Sequence, residues 1–398
     1  MAKIYVRGAV VLLLTITVLS GCGSKSAGDY YKEGIKYATN GSYEEAGEAF
    51  AKAIEIKADK AEYYIDYGMS LIMLKEYDDA ILNFDKAILD KNNLIVNENN
   101  KKAYRGKGIA YYYSHSYDKA VQYFDKALAI NELTELNVDI LYYKGSSLER
   151  SGQFEAAITT YTSILDNKSS DAKTYNKRAY AYRMAGSFEM SLADYDKAIS
   201  LDKDNYDYYF NKFFLLSETE DLEGANNVLT EAAKIKIETE EDKFNLAKIH
   251  YYMGDQEEAM IGLNEAFSNG FSEAYYYLGE IYYEKEDYES AVNNYEMYLK
   301  DETTSESAVV YNQLGVCLLK LKRKEEALSY IQEGLSLNDT SLQQQLKINE
   351  VVAYENLGDF DEAYKLMTEY LKLYPEDEDA KTEYEFIKTR VSEVSTKQ

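Results

Sequence analysis

Two periods run through the hydrophobic and polar positions of this chain. The short one is helical: apolar and small residues step by three and four, as in Tyr30 to Gly34 or Ala46 to Phe50 to Ala53, with charged residues between them. That spacing places them on the inner stripe of amphipathic helices. The long one is set by a small residue that returns at Ala46, Ala80, Ala120, Ala157, Ser191, Ala225, Ala259, Ala291, Ala327 and Ala363, with gaps of 34, 40, 37, 34, 34, 34, 32, 36 and 36. Four residues after each stands a bulky apolar one, namely Phe50, Phe84, Phe124, Tyr161, Tyr195, Leu229, Leu263, Tyr295, Ile331 and Met367, and three further on often a second alanine. Twelve residues before most of them lies another small residue (Gly34, Gly68, Gly108, Gly145, Ala179, Ala247, Gly279, Gly315), usually with a tyrosine four before that. Turns such as Asn40-Gly41-Ser42 and Ser151-Gly152-Gln153 separate the two stripes. The pattern predicts pairs of helices, repeated along the chain and stacked on one another rather than wrapped around a single catalytic core.

On these positions the chain resembles the tetratricopeptide repeat (TPR). The segments YYKEGIKYATNGSYEEAGEAFAKAI (30–54) and YYIDYGMSLIMLKEYDDAILNFDKAI (63–88) follow that pattern closely. Ten units are expected near 27–60, 61–94, 101–134, 138–171, 172–205, 206–239, 240–273, 272–305, 308–341 and 344–377. The resemblance implies an all-α, right-handed superhelical solenoid of about ten helix-turn-helix repeats spanning 29–377. Three departures stand out. The family's tryptophan is absent and tyrosine replaces it, Phe213 and Val351 occupy positions expected to be small, and only the tenth unit carries the terminal proline, Pro375.

The ends differ from the array. Lys3 and Arg7 precede an apolar stretch, GAVVLLLTITVL (8–19), of signal-peptide length and too short to span a bilayer comfortably. It runs into Leu19-Ser20-Gly21-Cys22, which resembles a bacterial lipobox. The expectation is a signal peptide over 1–21, a lipidated Cys22 with a short linker to residue 28, and residence at the extracytoplasmic face of a cell membrane. Two or three acyl chains on one residue anchor stably where one does not. The linker spans at most ~20 Å. At the other end Ala380, Tyr384, Ile387, Val391 and Val394 step by four and three, which predicts a helix in 378–398 that caps the last repeat.

Charge and chemistry narrow the function. The chain carries 44 Lys and Arg against 70 Asp and Glu, net −26, and loss of the signal would make it −28. Such a body is repelled by nucleic acid and by anionic lipid, so no nucleic-acid partner is expected and the lipid must do the holding. No nucleophile elbow, phosphate loop or dinucleotide fingerprint appears. The two histidines, His115 and His250, fall in different repeats without metal-ligand spacing around them. Acidic runs such as 376–379 read as solvated turns, and Cys317 as a small buried hydrophobe. A non-enzyme with no metal and no cofactor is expected.

What remains is surface. Residues 101–184 hold thirteen Lys or Arg against nine Asp or Glu, net +4, inside an acidic chain. In the resembled family the first helices of successive repeats line a groove, which implies a partner-binding set of Lys102, Arg105, Arg150, Lys173, Lys177 and Arg183. Two readings of these cations stand: a groove that focuses an acidic ligand, or solvated helix faces that balance nearby acids such as Asp139 and Glu149. Asn176, Asn211 and Asn245 join the candidate set, because an amide can pair with both groups of an extended backbone. They resemble the asparagine ladder of the O-linked N-acetylglucosamine transferase repeats, with Asn176 one position out of step. Tyr112, Tyr142, Tyr180, Phe210, Phe214, Phe244, Tyr251, Tyr276 and Tyr283 are expected on the same face, part of them as core. The function that follows is a membrane-anchored scaffold that binds an extended, acidic protein segment or assembles envelope proteins. The alternatives are a glycan- or solute-binding envelope lipoprotein and a regulatory subunit of a cell-wall enzyme.

Overall fold

The computed structural model describes residues 25–395 apart from 167–170, 302–303, 305–306, 338 and 340. The expected signal segment and Cys22 lie outside the described residues. The chain divides into two compact units, residues 1–194 and 195–398. The first holds α1 (Ala27–Thr39), α2 (Tyr43–Ile56), α3 (Ala61–Met73), α4 (Tyr77–Ala87), α5 (Leu94–Tyr113), α6 (Tyr117–Leu128), α7 (Asn137–Arg150), α8 (Phe154–Asp166), α9 (Ala172–Met184) and the start of α10 (Phe188–Leu201). The second continues from α10 through α11 (Tyr206–Glu218), α12 (Leu222–Ala232), α13 (Glu240–Met253), α14 (Gln256–Ser268), α15 (Ala274–Glu284), α16 (Tyr288–Lys300), α17 (Ala308–Lys320), α18 (Lys324–Ser336), α19 (Gln343–Leu357), α20 (Phe360–Leu373) and α21 (Glu378–Ser395). Among the described residues there is no strand, so the fold is all-α. Within each unit successive helices pack on one another, α1 to α9 in the first and α11 to α21 in the second, the arrangement of a stacked array.

Every repeat turns at the same place. The residue five before each rung is left-handed, at φ 74° to 81° for Gly41, Gly152, Gly186, Gly254 and Gly358 and at φ 59° to 63° for Lys75, His115, Glu220, Glu286 and Lys322. The amide after it closes onto a carbonyl five residues back, as Ser42 N to Tyr37 O and Asp287 N to Tyr282 O, both within 3.0 Å. This bond satisfies a helix-end carbonyl and fixes the chain reversal. Half the turns lack the glycine that made the others visible in the sequence.

The rungs are the tightest contacts. All ten are buried, nine of them with no exposed surface. Ser191 takes the alanine position by donating its hydroxyl to Ala179 O at 2.7 Å. The bulky residues four further on, from Phe50 to Met367, are likewise fully buried. Each ring lies against the small residue of its partner helix. A Cβ added to Gly34, Gly68, Gly145 or Gly279 would sit 2.5–2.8 Å from the ring of Phe50, Phe84, Tyr161 or Tyr295. Phe213 breaks this rule, and there the register sets Leu229 opposite it in place of a ring. Phe213 packs 5.4 Å from Phe214 and 5.2 Å from Tyr252. Val351 is fully buried, with Ala363 and Met367 in one cluster.

The long gap before the third rung has a structural cause. Helix α5 begins at Leu94, earlier than the expected start of its repeat, because Asn93 caps it through Val96 N at 3.1 Å and Asn100 ties it to the backbone of Leu89 at 2.8 and 3.0 Å. Lys101 on this helix is fully buried. Its ammonium donates to Ile130 O, Glu132 O and Asn137 Oδ1 at 2.7–2.9 Å, so it pins the inserted loop after α6 with all three of its protons.

Helix α21 covers the last repeat. Ala380 and Ile387 are buried against Val351, Ala363, Met367 and Tyr370, and Tyr384 stacks on Tyr364 at 5.0 Å. The side chain of Val394 lies outside the described residues. Asp377 caps the helix through Ala380 N at 2.9 Å and accepts from Tyr370 Oη at 2.6 Å, which gives the acidic run at 376–379 a structural role. Beside it, Glu355 of α19 faces Glu383 of α21, and Glu355 Oε1 is buried without a hydrogen-bond partner. Burial and the neighbouring carboxylate push the Glu355 carboxyl up to about 8.

Two expectations follow from these contacts. Overpacking costs about 1–3 kcal/mol and outweighs the roughly 1 kcal/mol helix-propensity gain of replacing glycine. Gly145→Ala therefore lowers the urea midpoint, whereas Gly28→Ala, whose Cβ would meet only Ser26 Oγ at 3.8 Å, does not. The second concerns pH. Folding raises the Glu355 pKa from its ordinary 4.5 to about 8, so the contribution of this group to docking of α21 is complete below the lower value and lost as pH rises through the upper one. Amide-exchange protection of α21, corrected for intrinsic rates, is expected to fall across that window in the wild type and to stay flat in Glu355→Gln.

Candidate functional site

In the first unit the leading helices of successive pairs, α1, α3, α5 and α7, touch one another directly. Beside ring contacts such as Tyr31 with Tyr63 and Tyr112 with Tyr143, polar contacts between them fall where the cationic set is expected. Tyr31 Oη donates to Asp66 at 2.6 Å, and burial pushes the Asp66 carboxyl up while that bond and Lys102 pull it down. Arg105 Nε donates to Asp139 at 2.5 Å, from α5 to α7. Lys177 of α9 reaches back to Glu149 of α7 at 3.1 Å. Lys173 places its ammonium 4.6 Å over the ring of Tyr142, a cation–π contact.

Arg105 and Lys177 are thus compensated inside the array by the acids named beside them in the sequence. Glu149 is the critical member. It is 9% exposed, its Oε1 has no hydrogen-bond partner, and burial pushes its carboxyl up while Lys177 pulls it back. Lys102, Arg150 and Lys173 have exposed side chains, and Arg183 is half-buried. The net cation available to a ligand is therefore smaller than the sequence count.

The asparagines do not form one set. Asn176 lies on α9 in the first unit, and Asn211 and Asn245 lie on α11 and α13 in the second, all half-buried. The register of Asn211 and Asn245 is that of Lys177, two residues before the small position. A different asparagine contact, which the sequence reading missed, is made in the second unit: Asn349 Nδ2 donates to Asn312 Oδ1 at 2.7 Å, with both residues at most 9% exposed. The only advance signal was register, since both sit close to the small position of the first helix. Of the expected aromatics, Phe210 and Phe244 are buried core, whereas Tyr180 is 37% exposed.

A second set of polar pairs, also missed, ties several repeats to the next. The residue just before the small position pairs with the residue five after the preceding rung. Lys107 meets Asp85 at 2.5 Å, Lys144 meets Asp125 at 2.6 Å, and Arg178 meets Thr162 at 3.0 Å, all in the first unit. Lys212 meets Asp196 at 2.6 Å in the second. Arg178 also binds Asp194 through two nitrogens at 2.7 and 2.9 Å, the bidentate geometry that makes arginine pairs strong.

Among the described residues no group of three or more His, Cys, Asp or Glu is placed to hold a metal ion. His115 Nδ1 lies 2.8 Å from Tyr117 Oη, and His250 Nδ1 lies 3.2 Å from Asp255. Cys317 is fully buried, and burial pushes its thiol up to about 12, so it is unreactive at neutral pH. No helix among the described residues is long and apolar enough to cross a membrane.

Comparison with known proteins gives these repeats a context. Family models of the tetratricopeptide repeat match residues 27–60, 105–172, 142–209, 276–341 and 351–377, together more than half of the chain. The wheat (Triticum aestivum) Hsp70-Hsp90 organizing protein is 27% identical over 200 residues, covering 42% of this chain and 34% of its own length. The TPR repeat-containing protein MJ1428 of Methanocaldococcus jannaschii is 25% identical over 266 residues, 66% of this chain and 41% of that protein. The chain therefore spans well under half the length of these curated relatives. Among solved structures, yeast Tom70 aligns over 92% of this chain and 90% of its own with a TM-score of 0.52 at 19% identity, a likeness of fold.

The Glu149 pair generates an expectation. Lys177→Ala leaves the buried carboxylate without its ion partner and is expected to destabilise the first unit by about 1–3 kcal/mol. Adding Glu149→Gln is expected to recover most of that loss in the same urea titration.

Proposed function

The chain belongs to the tetratricopeptide-repeat family, and from that premise we propose that it is a protein-binding scaffold held at the extracytoplasmic face of a membrane by lipid on Cys22. The observation that supports binding most directly is the face formed by the leading helices of the first unit. There Lys102, Arg150 and Lys173 keep exposed charge, Lys173 over the ring of Tyr142, while Arg105 and Lys177 are internally paired. Rigid aromatic area near exposed cations suits an extended segment carrying carboxylates, because the rings supply contact at low entropy cost and the cations supply steering.

The anchor rests on sequence. The apolar run ends at small residues followed by Cys22, and the strongly acidic body has no electrostatic reason to adhere to anionic lipid. Lipid on Cys22 would supply that attachment and leave the array free to engage a partner at the membrane surface.

The test is affinity capture from a membrane-envelope extract, read by mass spectrometry, with wild type against Lys102→Glu, Arg150→Glu and Lys173→Glu combined. Lys177 is avoided because reversing it would face Glu149 with a second carboxylate. A protein retained by wild type and lost by the variant is the expected result, and empty captures at both low and physiological salt would end the scaffold reading. In fractionated cells, Cys22→Ala is expected to move the protein out of the membrane fraction, and unchanged membrane retention would remove the lipid anchor.

A further inference from the structure

Charge is divided unevenly between the two units. Residues 1–194 hold 24 Lys and Arg against 26 Asp and Glu, net −2, whereas residues 195–398 hold 20 against 44, net −24. Nearly the whole charge of the chain therefore belongs to the second unit. A field of that size concentrates cations but by itself marks no site.

A pocket of about 270 Å³ in the same unit supplies one. Tyr276 and Tyr277 of α15, Tyr298 of α16, and Val309 and Val310 of α17 line it, and Glu273, the residue before α15, stands at its edge. The rings are inclined to one another, Tyr276 against Tyr277 at 5.2 Å and 73° and Tyr276 against Tyr298 at 6.4 Å and 62°. Among the described residues no basic one lines the pocket. Glu273 is exposed and pairs with no described side chain, while Lys248 of α13 feels its charge at longer range.

Aromatic faces carry negative potential and attract a cation, more strongly once it is desolvated. A carboxylate at the edge adds a counter-ion. A neutral side chain in the same pocket would gain neither from Glu273 nor from the surrounding field. The unit already treats a cation of its own in this way, since the ammonium of Lys248 lies 4.6 Å over the ring of Phe210 and 5.2 Å over that of Phe244. The volume admits the end of one side chain, not a folded element.

We propose that this pocket receives the cationic end of a lysine or arginine side chain from an extended polypeptide, with Glu273 as counter-ion and Tyr276, Tyr277 and Tyr298 as its walls. The assignment rests on the reading of the array as a polypeptide-binding scaffold and gives the second unit its partner chemistry, a basic segment. It is independent of the cations on the first unit.

The test is fluorescence anisotropy of labelled octalysine against the full chain in detergent. Binding is expected at low salt and is expected to weaken as salt screens the charges. Glu273→Gln and Tyr298→Leu are each expected to weaken it about fivefold, with helicity unchanged by circular dichroism. Glu257→Gln, which removes an exposed charge from α14 outside the pocket, is expected to leave affinity unchanged. Equal affinities for all three variants would mean that net charge alone holds the peptide and would overturn the pocket. Absence of octalysine binding at low salt, or displacement of the labelled octalysine by free tetramethylammonium as effectively as by unlabelled octalysine at the same concentration, would overturn the polypeptide assignment. None of these failures touches the capture experiment on the first unit, which reads Lys102, Arg150 and Lys173 and so tests the scaffold reading separately.

Discussion

A bulky side chain laid against a bare helix backbone is the contact on which the rest of this molecule depends. Where Phe84 meets Gly68, or Tyr295 meets Gly279, the missing Cβ is what lets the two helices of a pair approach. Interiors packed at this density have no slack for an added methyl group. The rung alanine beside each ring closes the same gap from the other helix. Once the pair is fixed, the left-handed turn five residues before the rung is fixed with it, which is why Glu286 and Lys322 adopt a conformation that usually favours glycine. The strain at those turns is carried by the packing on either side of them.

Tyrosine shapes what is built on that frame. The chain has 42 tyrosines and no tryptophan, so its inter-helix space is filled by rings that each bring a hydroxyl. Buried hydroxyls need partners, and for several of them the array provides residues that pure packing would not have selected. Tyr295 donates to Glu280, which also accepts from Gln313, and Tyr161 pairs with Ser146. Polar groups are thereby drawn into the seams between repeats, and ion pairs such as Lys107 with Asp85 continue them outward. A stacked array has no single core to enforce its order, and where these pairs occur they give the interface a register that apolar contact alone would specify weakly.

Charge then separates the roles of the units. In the first, acids and bases nearly balance and much of the positive charge is internally matched, so what solvent meets there is a few exposed cations. In the second, acids outnumber bases by more than two to one, and the exposed chemistry is carboxylate and ring. A scaffold of this composition presents two kinds of surface along one chain.

The helix pairs, their number and their inner stripes were legible in the sequence because they depend on local spacing: Ala120 four residues before Phe124 lies on one helix face whatever surrounds it. The close contacts between paired helices were legible too, since a glycine at a fixed distance from a ring leaves a signature. The five turns without glycine were not, because Lys75 or Glu220 at a left-handed position reflects the packing around it and not its own preference. Nor was the fate of the candidate cations. Arg105 and Lys177 read as groove residues by register, but Asp139 and Glu149 lie 34 and 28 residues away in sequence and reach them only through the stacking of successive helices. Lys101, adjacent to the exposed Lys102, is fully buried for the same reason: the carbonyls that solvate it belong to a loop that arrives from the far end of the next helix. Spacing along the chain determines which face of a helix a residue occupies, and only the tertiary structure decides whether the charge on that face meets solvent or its opposite.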